Sequence, residues 1–161
     1  MNTGRLVNLL GAFAIAASDE IETAAGETDG HDLGALNLIG HAPGLSIQDL
    51  ARCLNLSHAG TVRLVERLVR AGGVEKRAGK DLRTASLRLT SAGKRTRERL
   101  QSKRQGRLRE LLAPLSVQER QMLERVIEKM MISHVQDDVH AGAVCRYCDE
   151  DACTPCPMER I

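Results

Sequence analysis

A mainly α-helical fold carrying one small β-hairpin is what this sequence predicts, and two observations carry that expectation. Apolar residues make up 42% of the 161-residue chain, but aromatic ones only 1%, Phe13 and Tyr147. The core must therefore be built from Leu, Val, Ile, Ala and Met, which favours helices packed on helices. Apolar positions also recur at helical spacing along most of the chain and switch to strict alternation only between Val74 and Thr90.

The elements follow in order. Leu6, Leu9, Leu10, Phe13, Ala17 and Ile21 lie on one helical face, predicting an amphipathic helix over residues 4–24 that ends near Gly26 and whose apolar stripe needs a partner. After a polar loop, Asp32 is expected to cap a short helix through Leu33, Leu36, Leu38 and Ile39, closed by HAPG around Pro43. Ser46 caps the next helix, to Cys53, with Asp49 three residues on. Asn55 and Leu56 make a turn, and Ser57 caps a further helix that runs through Val62, Leu64, Val65, Leu68 and Val69 to the stop at Gly72 and Gly73. Two short helices joined by a tight turn form a helix-turn-helix pattern. VEKR, the turn AGKD and TASLRLT then read as a hairpin with a charged tip around Gly79. A long basic helix is expected from Ser91 to Leu112, stopped by Pro114, and a final one from Ser116 to Val139, with Glu119 completing a capping box. Met122, Leu123, Val126, Ile127, Met130 and Met131 give that last helix an apolar stripe.

The net charge of +2 hides a strong asymmetry. Residues 61–110 hold sixteen Lys and Arg against five Asp and Glu, net +11, whereas residues 1–60 are net −5 and residues 111–161 net −4. Clustered cations of this kind suit a polyanion, because they release counterions from its phosphates. No stretch approaches the ~20 apolar residues of a membrane span, and no basic region precedes the first apolar run, so a cytoplasmic protein without membrane contact is expected. No Ser/His/Asp spacing, phosphate loop or paired carboxylates on a recognisable scaffold argue for an enzyme.

Four of the five cysteines, Cys145, Cys148, Cys153 and Cys156, stand in the last seventeen residues as two C-x-x-C pairs four residues apart. Each pair can point two thiolates at one ion, and four thiolates suit tetrahedral zinc or an iron–sulfur cluster. Zinc is the first expectation and the cluster the alternative; disulfide formation as an oxidation switch is a competing reading. A four-thiolate site is closed and leaves no position for catalysis. His134 and His140 are reserve ligands, and Cys53 reads as a small core residue.

The stretch from Leu45 to Arg95 resembles the winged helix-turn-helix core of the MarR family of bacterial transcriptional regulators, above all in Asp81-x-Arg83, Leu87-x-Leu89-Thr90, the Gly93 basic-helix start and TVRLVERL. The resemblance implies a homodimer built from the first and last helices, and binding to a pseudo-palindromic double-stranded DNA operator, as a repressor answering a small-molecule or redox effector. It implies a dimerisation helix in residues 1–30, a winged helix-turn-helix in 31–95 and dimerisation helices in 96–140; the cysteine spacing adds a metal-binding tail in 141–161 that departs from the family core. Residues at the start of the second helix enter the major groove, which makes Ser57, His58, Thr61 and Arg63 the expected readers, with Gly60 allowing close backbone approach and Arg67 nearer a phosphate. The resemblance sends Arg83 of the wing to the minor groove or its phosphates, oriented by Asp81 and flanked by Arg77 and Lys80. Glu66 is expected to be a surface or ion-pair residue. The rival to a duplex-binding regulator is an RNA- or partner-binding module with the tail as a zinc knuckle.

Overall fold

Residues 3–26, 30–78 and 85–160 are described by a computed structural model. Helix α1 spans Thr3–Ala25, α2 Gly30–His41, α3 Ile47–Leu54 and α4 His58–Arg70; strands β1, Val74–Ala78, and β2, Ala85–Leu89, follow. Helix α5 covers Ser91–Leu112, α6 Val117–His134 and α7 Asp138–Val144, and a 3₁₀ turn closes the tail at Pro157–Arg160. The mainly helical fold with a small hairpin is therefore what the sequence folds into.

Cap chemistry accounts for several boundaries. The Ser46, Ser57, Thr90 and Ser116 hydroxyls each accept from the backbone N–H three residues on, satisfying a donor that the first helical turn leaves free. At Ser116 the box is reciprocal, because the Glu119 carboxylate accepts from the Ser116 N–H at 2.8 Å.

Strands β1 and β2 pair antiparallel from Val74 opposite Leu89 to Ala78 opposite Ala85. Leu45 and Ser46 add a short third edge: Leu87 N–H donates to the Leu45 carbonyl at 3.0 Å, and Ser46 bridges Ser86. The core lies where α2, α3, α4 and the hairpin meet, with Leu36, Ile39, Leu50, Val65 and Leu87 at most 1% exposed. Leu100 carries that core onto α5. The turn between α4 and β1 needs glycine, since Gly72 has φ of +70°. Gly93 needs it for another reason: a Cβ there would sit 1.9 Å from the Gly73 carbonyl oxygen.

The structure departs from expectation at two places. Helix α2 begins at Gly30 rather than after Asp32, so Asp32 sits in its first turn. The final helix stops at His134: Val135 is extended and buried, and Asp137 then caps α7 by accepting from the His140 N–H at 2.8 Å. A helix continued to Val139 would forfeit that burial and that cap.

Helix α1 packs along α5, yet Leu6, Leu9, Leu10, Phe13 and Ile15 remain about half exposed. Helix α6 has no buried residue, and Met122, Val126, Ile127 and Met130 face outward.

Candidate nucleic-acid interface and cysteine cluster

The α3–turn–α4 unit owes its angle to Asn55, whose left-handed backbone (φ 52°) ends α3 while its N–H bonds the Arg52 carbonyl. Asparagine tolerates this region better than most residues. Leu64, Val65 and Leu68 of α4 point into the core, leaving His58, Ala59, Arg63, Glu66, Arg67 and Arg70 on its solvent face.

The expected readers divide on this geometry. His58 and Arg63 are exposed, and Arg63 Nε donates to the Ala59 carbonyl at 3.4 Å. Ser57 is exposed, but its hydroxyl caps the helix at Gly60 N–H, 3.1 Å. A Cβ at Gly60 would stand 3.2 Å from that hydroxyl oxygen, so glycine keeps the cap uncrowded. Thr61 is not a reader: it is fully buried, and its hydroxyl donates to the Ser57 carbonyl at 3.1 Å. Its place on the same face as Leu64, Val65 and Leu68 explains why. Arg67, about half exposed, reaches Asp32 of α2 at 2.5 Å, a residue thirty-five positions away in sequence. Arg77 of β1 pairs with Glu75 at 2.7 Å, whereas the positions expected for Lys80, Asp81 and Arg83 lie outside the described residues. Glu66 is exposed, as a surface residue should be. Inside α5, Arg97 turns inward to Asn37 and Arg107 approaches Glu20 at 3.8 Å, so part of the +11 is spent within the chain.

The tail folds back rather than trailing away. Helix α7 packs on α3, where Cys53 sits so close to Gly142 that a Cβ there would be 2.9 Å from its sulfur. Burial pushes the Cys53 thiol up, with Asp49 adding and Arg52 opposing, which fits an inert packing residue. Cys145, Cys148, Cys153 and Cys156 are half-buried free thiols on the wall of one cavity of about 700 Å³ between α1, α5 and the tail. The first pair forms a tight knuckle, Cys148 N–H donating to the Cys145 carbonyl at 2.7 Å. Burial, then the neighbouring Cys153 and Cys145, push the Cys148 thiol up to about 12. Burial, then Cys156 and Cys153, raise Cys145. Among the described residues no three Cys, His, Asp or Glu side chains are gathered tightly enough to hold a metal ion. The donor chemistry suits zinc; closing four sulfurs to ~2.3 Å around one ion requires them to move together. His134 and His140 lie edge to face with ring centres 5.0 Å apart.

A set of polar residues that spacing arguments missed holds this tail. Asn37, fully buried in α2, donates to the carbonyls of Arg146 and Cys148 at 3.3 Å each and accepts from Arg97 Nε at 2.9 Å. Gln101 of α5 donates to the carbonyls of Tyr147, 3.1 Å, and Cys148, 2.7 Å. His41 Nε2–H reaches the same Cys148 oxygen at 3.2 Å, while its Nδ1 lies 2.5 Å from Glu150. Gln105 donates to Asp149. The available signal was Asn37 itself, a lone carboxamide in the apolar run LGALNLIG.

Two short helices meeting at a left-handed turn, the second with an exposed cationic face, and a hairpin bridged to the loop before α3 together define a winged helix-turn-helix, the architecture of DNA-binding transcription factors. Residues 28–84 match the family model described as MarR family. The uncharacterized HTH-type transcriptional regulator YdgJ of Bacillus subtilis (strain 168) is 31% identical over 99 residues, 61% of this chain and 60% of that protein. The match thus spans less than two thirds of that relative's length. A MarR family protein from Bacillus stearothermophilus superposes with a TM-score of 0.74 over 84% of this chain and 99% of its own, at 24% identity. FabT of Streptococcus pneumoniae, solved in complex with DNA, gives 0.64 over 81% and 95%, at 17%. At such identities the solved structures speak for the fold alone. Over residues 28–84 the chain is thus similar to the MarR family.

Proposed function

We propose that this chain is a repressor that binds a pseudo-palindromic DNA operator as a homodimer, and that its four tail thiols hold one zinc ion. The exposed face of α4, within the stretch of net +11, is the observation that carries the DNA reading. His58 and Arg63 read bases, Ser57 and Gly60 set the start of the helix against the groove, and Arg70 meets phosphate. Arg77, Lys80, Asp81 and Arg83 serve the wing. Dimerisation is supported by the bare apolar faces of α1 and α6, which exceed what a monomer leaves to water without purpose. The protein acts in the cytoplasm, where the operator is; among the described residues no helix is long and apolar enough to cross a membrane.

Zinc is supported by the two C-x-x-C pairs and by their four thiols facing one cavity. An iron–sulfur cluster is the alternative on the same donors. The same four free thiols, lining one cavity, also support a second reading, a metal-free disulfide switch. The cavity's volume also suits a small-molecule effector.

The test takes full-length protein purified without oxygen. One zinc per chain and no visible absorption is the expected result, whereas visible bands mean a cluster, and metal-free disulfides mean the switch. A duplex selected from a random pool should contain an inverted repeat with half-sites about one helical turn apart. Preferential binding to single-stranded RNA would overturn the operator reading.

A further inference from the structure

We propose that Asn37, His41 and Gln101 form a clamp through which the state of the cysteine tail sets operator affinity. The proposal rests on the zinc reading of the tail and adds to it the route by which the ion is felt.

Three side-chain donors from two helices converge on one oxygen, the Cys148 carbonyl: Gln101 at 2.7 Å, His41 at 3.2 Å and Asn37 at 3.3 Å. Asn37 and Gln101 each take a neighbouring carbonyl as well, those of Arg146 and Tyr147. The residues gripped are the C-x-x-C knuckle itself, whose two sulfurs and whose carbonyls belong to one short turn. An ion that orders the sulfurs therefore fixes the oxygens, and the loss of the ion frees both.

What the clamp joins gives it consequence. Helix α2, bearing Asn37 and His41, packs on α3, α4 and β2, the DNA-binding lobe; α5, bearing Gln101, packs on α1 and leads to the outward apolar helices. The tail is a third body pinned across the α2–α5 seam, and Arg97 of α5 closes the seam directly on Asn37. Asn37 is fully buried, and a buried carboxamide loses free energy when its partners leave, so the seam responds to release of the knuckle. Half-site spacing in a dimer depends on the angle across this seam, and an ordered tail should hold the lobes for tighter binding.

The experiment measures affinity for the selected operator duplex, with and without zinc, for the full-length wild type, for Gln101→Met and for His41→Phe. Gln101→Met keeps the length of the side chain and removes its donors; His41→Phe keeps a ring in place and serves if the first variant does not fold. In the wild type, zinc removal should weaken binding by roughly 5–150-fold, the usual range of coupling between sites. In the variants one zinc per chain and a cooperative, if lowered, thermal transition should persist, while the ratio falls to within about twofold, an outcome that purely structural damage would not give. An unchanged ratio in a folded, zinc-loaded variant overturns the clamp. A wild type that binds zinc with equal operator affinity either way overturns it too, yet leaves the zinc site standing. A wild type that takes no zinc refutes the tail reading, and the clamp with it.

Discussion

Leu9→Ala combined with Ile127→Ala tests the homodimer by subtraction. Leu9 is 50% exposed and Ile127 43% exposed in the single chain, so each has about half of its side chain left to bury. Full burial of such a side chain contributes about 1.5–3 kcal/mol, so half contributes about 1 kcal/mol. A two-fold dimer contains each residue twice, and removing four such contributions costs about 4 kcal/mol of association. At 1.4 kcal/mol per decade, the dissociation constant should rise roughly a thousand-fold. Sedimentation equilibrium over a concentration series measures that constant, and circular dichroism checks that the separated chains keep their helices. Glutamate at both positions should abolish the dimer outright, because an unpaired charge cannot be buried cheaply. A dissociation constant within a factor of about three of wild type for the double alanine variant would refute the assignment of these faces.

Arg63→Ala should cost about 1–3 kcal/mol of operator binding and relax preference at one base pair, whereas Arg83→Ala should lower the salt slope by about one phosphate; titrations at several salt concentrations separate the two, and unaltered binding in both would remove these residues from the interface. Gly93→Ala drives a methyl group into the Gly73 carbonyl, where the contact is with backbone and cannot swing aside, so the urea midpoint should fall by the equivalent of about 1–3 kcal/mol. Hydrogen bonds from the Ser116 hydroxyl and backbone hold the Glu119 carboxyl below the usual carboxylate range. Its contribution to the start of α6 is therefore complete above that range and disappears as pH falls through the lowered value. Glu119→Gln should flatten the acid limb of the stability profile, and superimposable wild-type and variant profiles would show that the box contributes nothing.

The elements were legible wherever one residue decides a local question. Ser46, Ser57 and Ser116 announce helix starts because an N-cap needs only its own next turn, and the alternation through Leu87 and Leu89 announces a strand because a pleat has period two. The break at Val135 was not legible, since nothing in the local apolar spacing marks that residue as one the fold buries in an extended conformation. Thr61 was misread because its hydroxyl suggested a groove while its helical phase already pointed to the core. The Arg67–Asp32 pair was not legible, because its partners stand on different helices. The cysteine spacing announced thiol chemistry, but nothing local to it disclosed that Asn37 and Gln101 grip its backbone.

The acceptors of that grip are main-chain oxygens, and no substitution deletes a carbonyl. Heredity can therefore unfasten these backbone contacts from one side only, by altering Asn37, His41 or Gln101. The exchange of Arg146 for another residue leaves its oxygen where it was. In a genetic screen for regulators deaf to their tail but still able to bind DNA, lesions should gather in α2 and α5 and at the four cysteines, with few at the side chains between them.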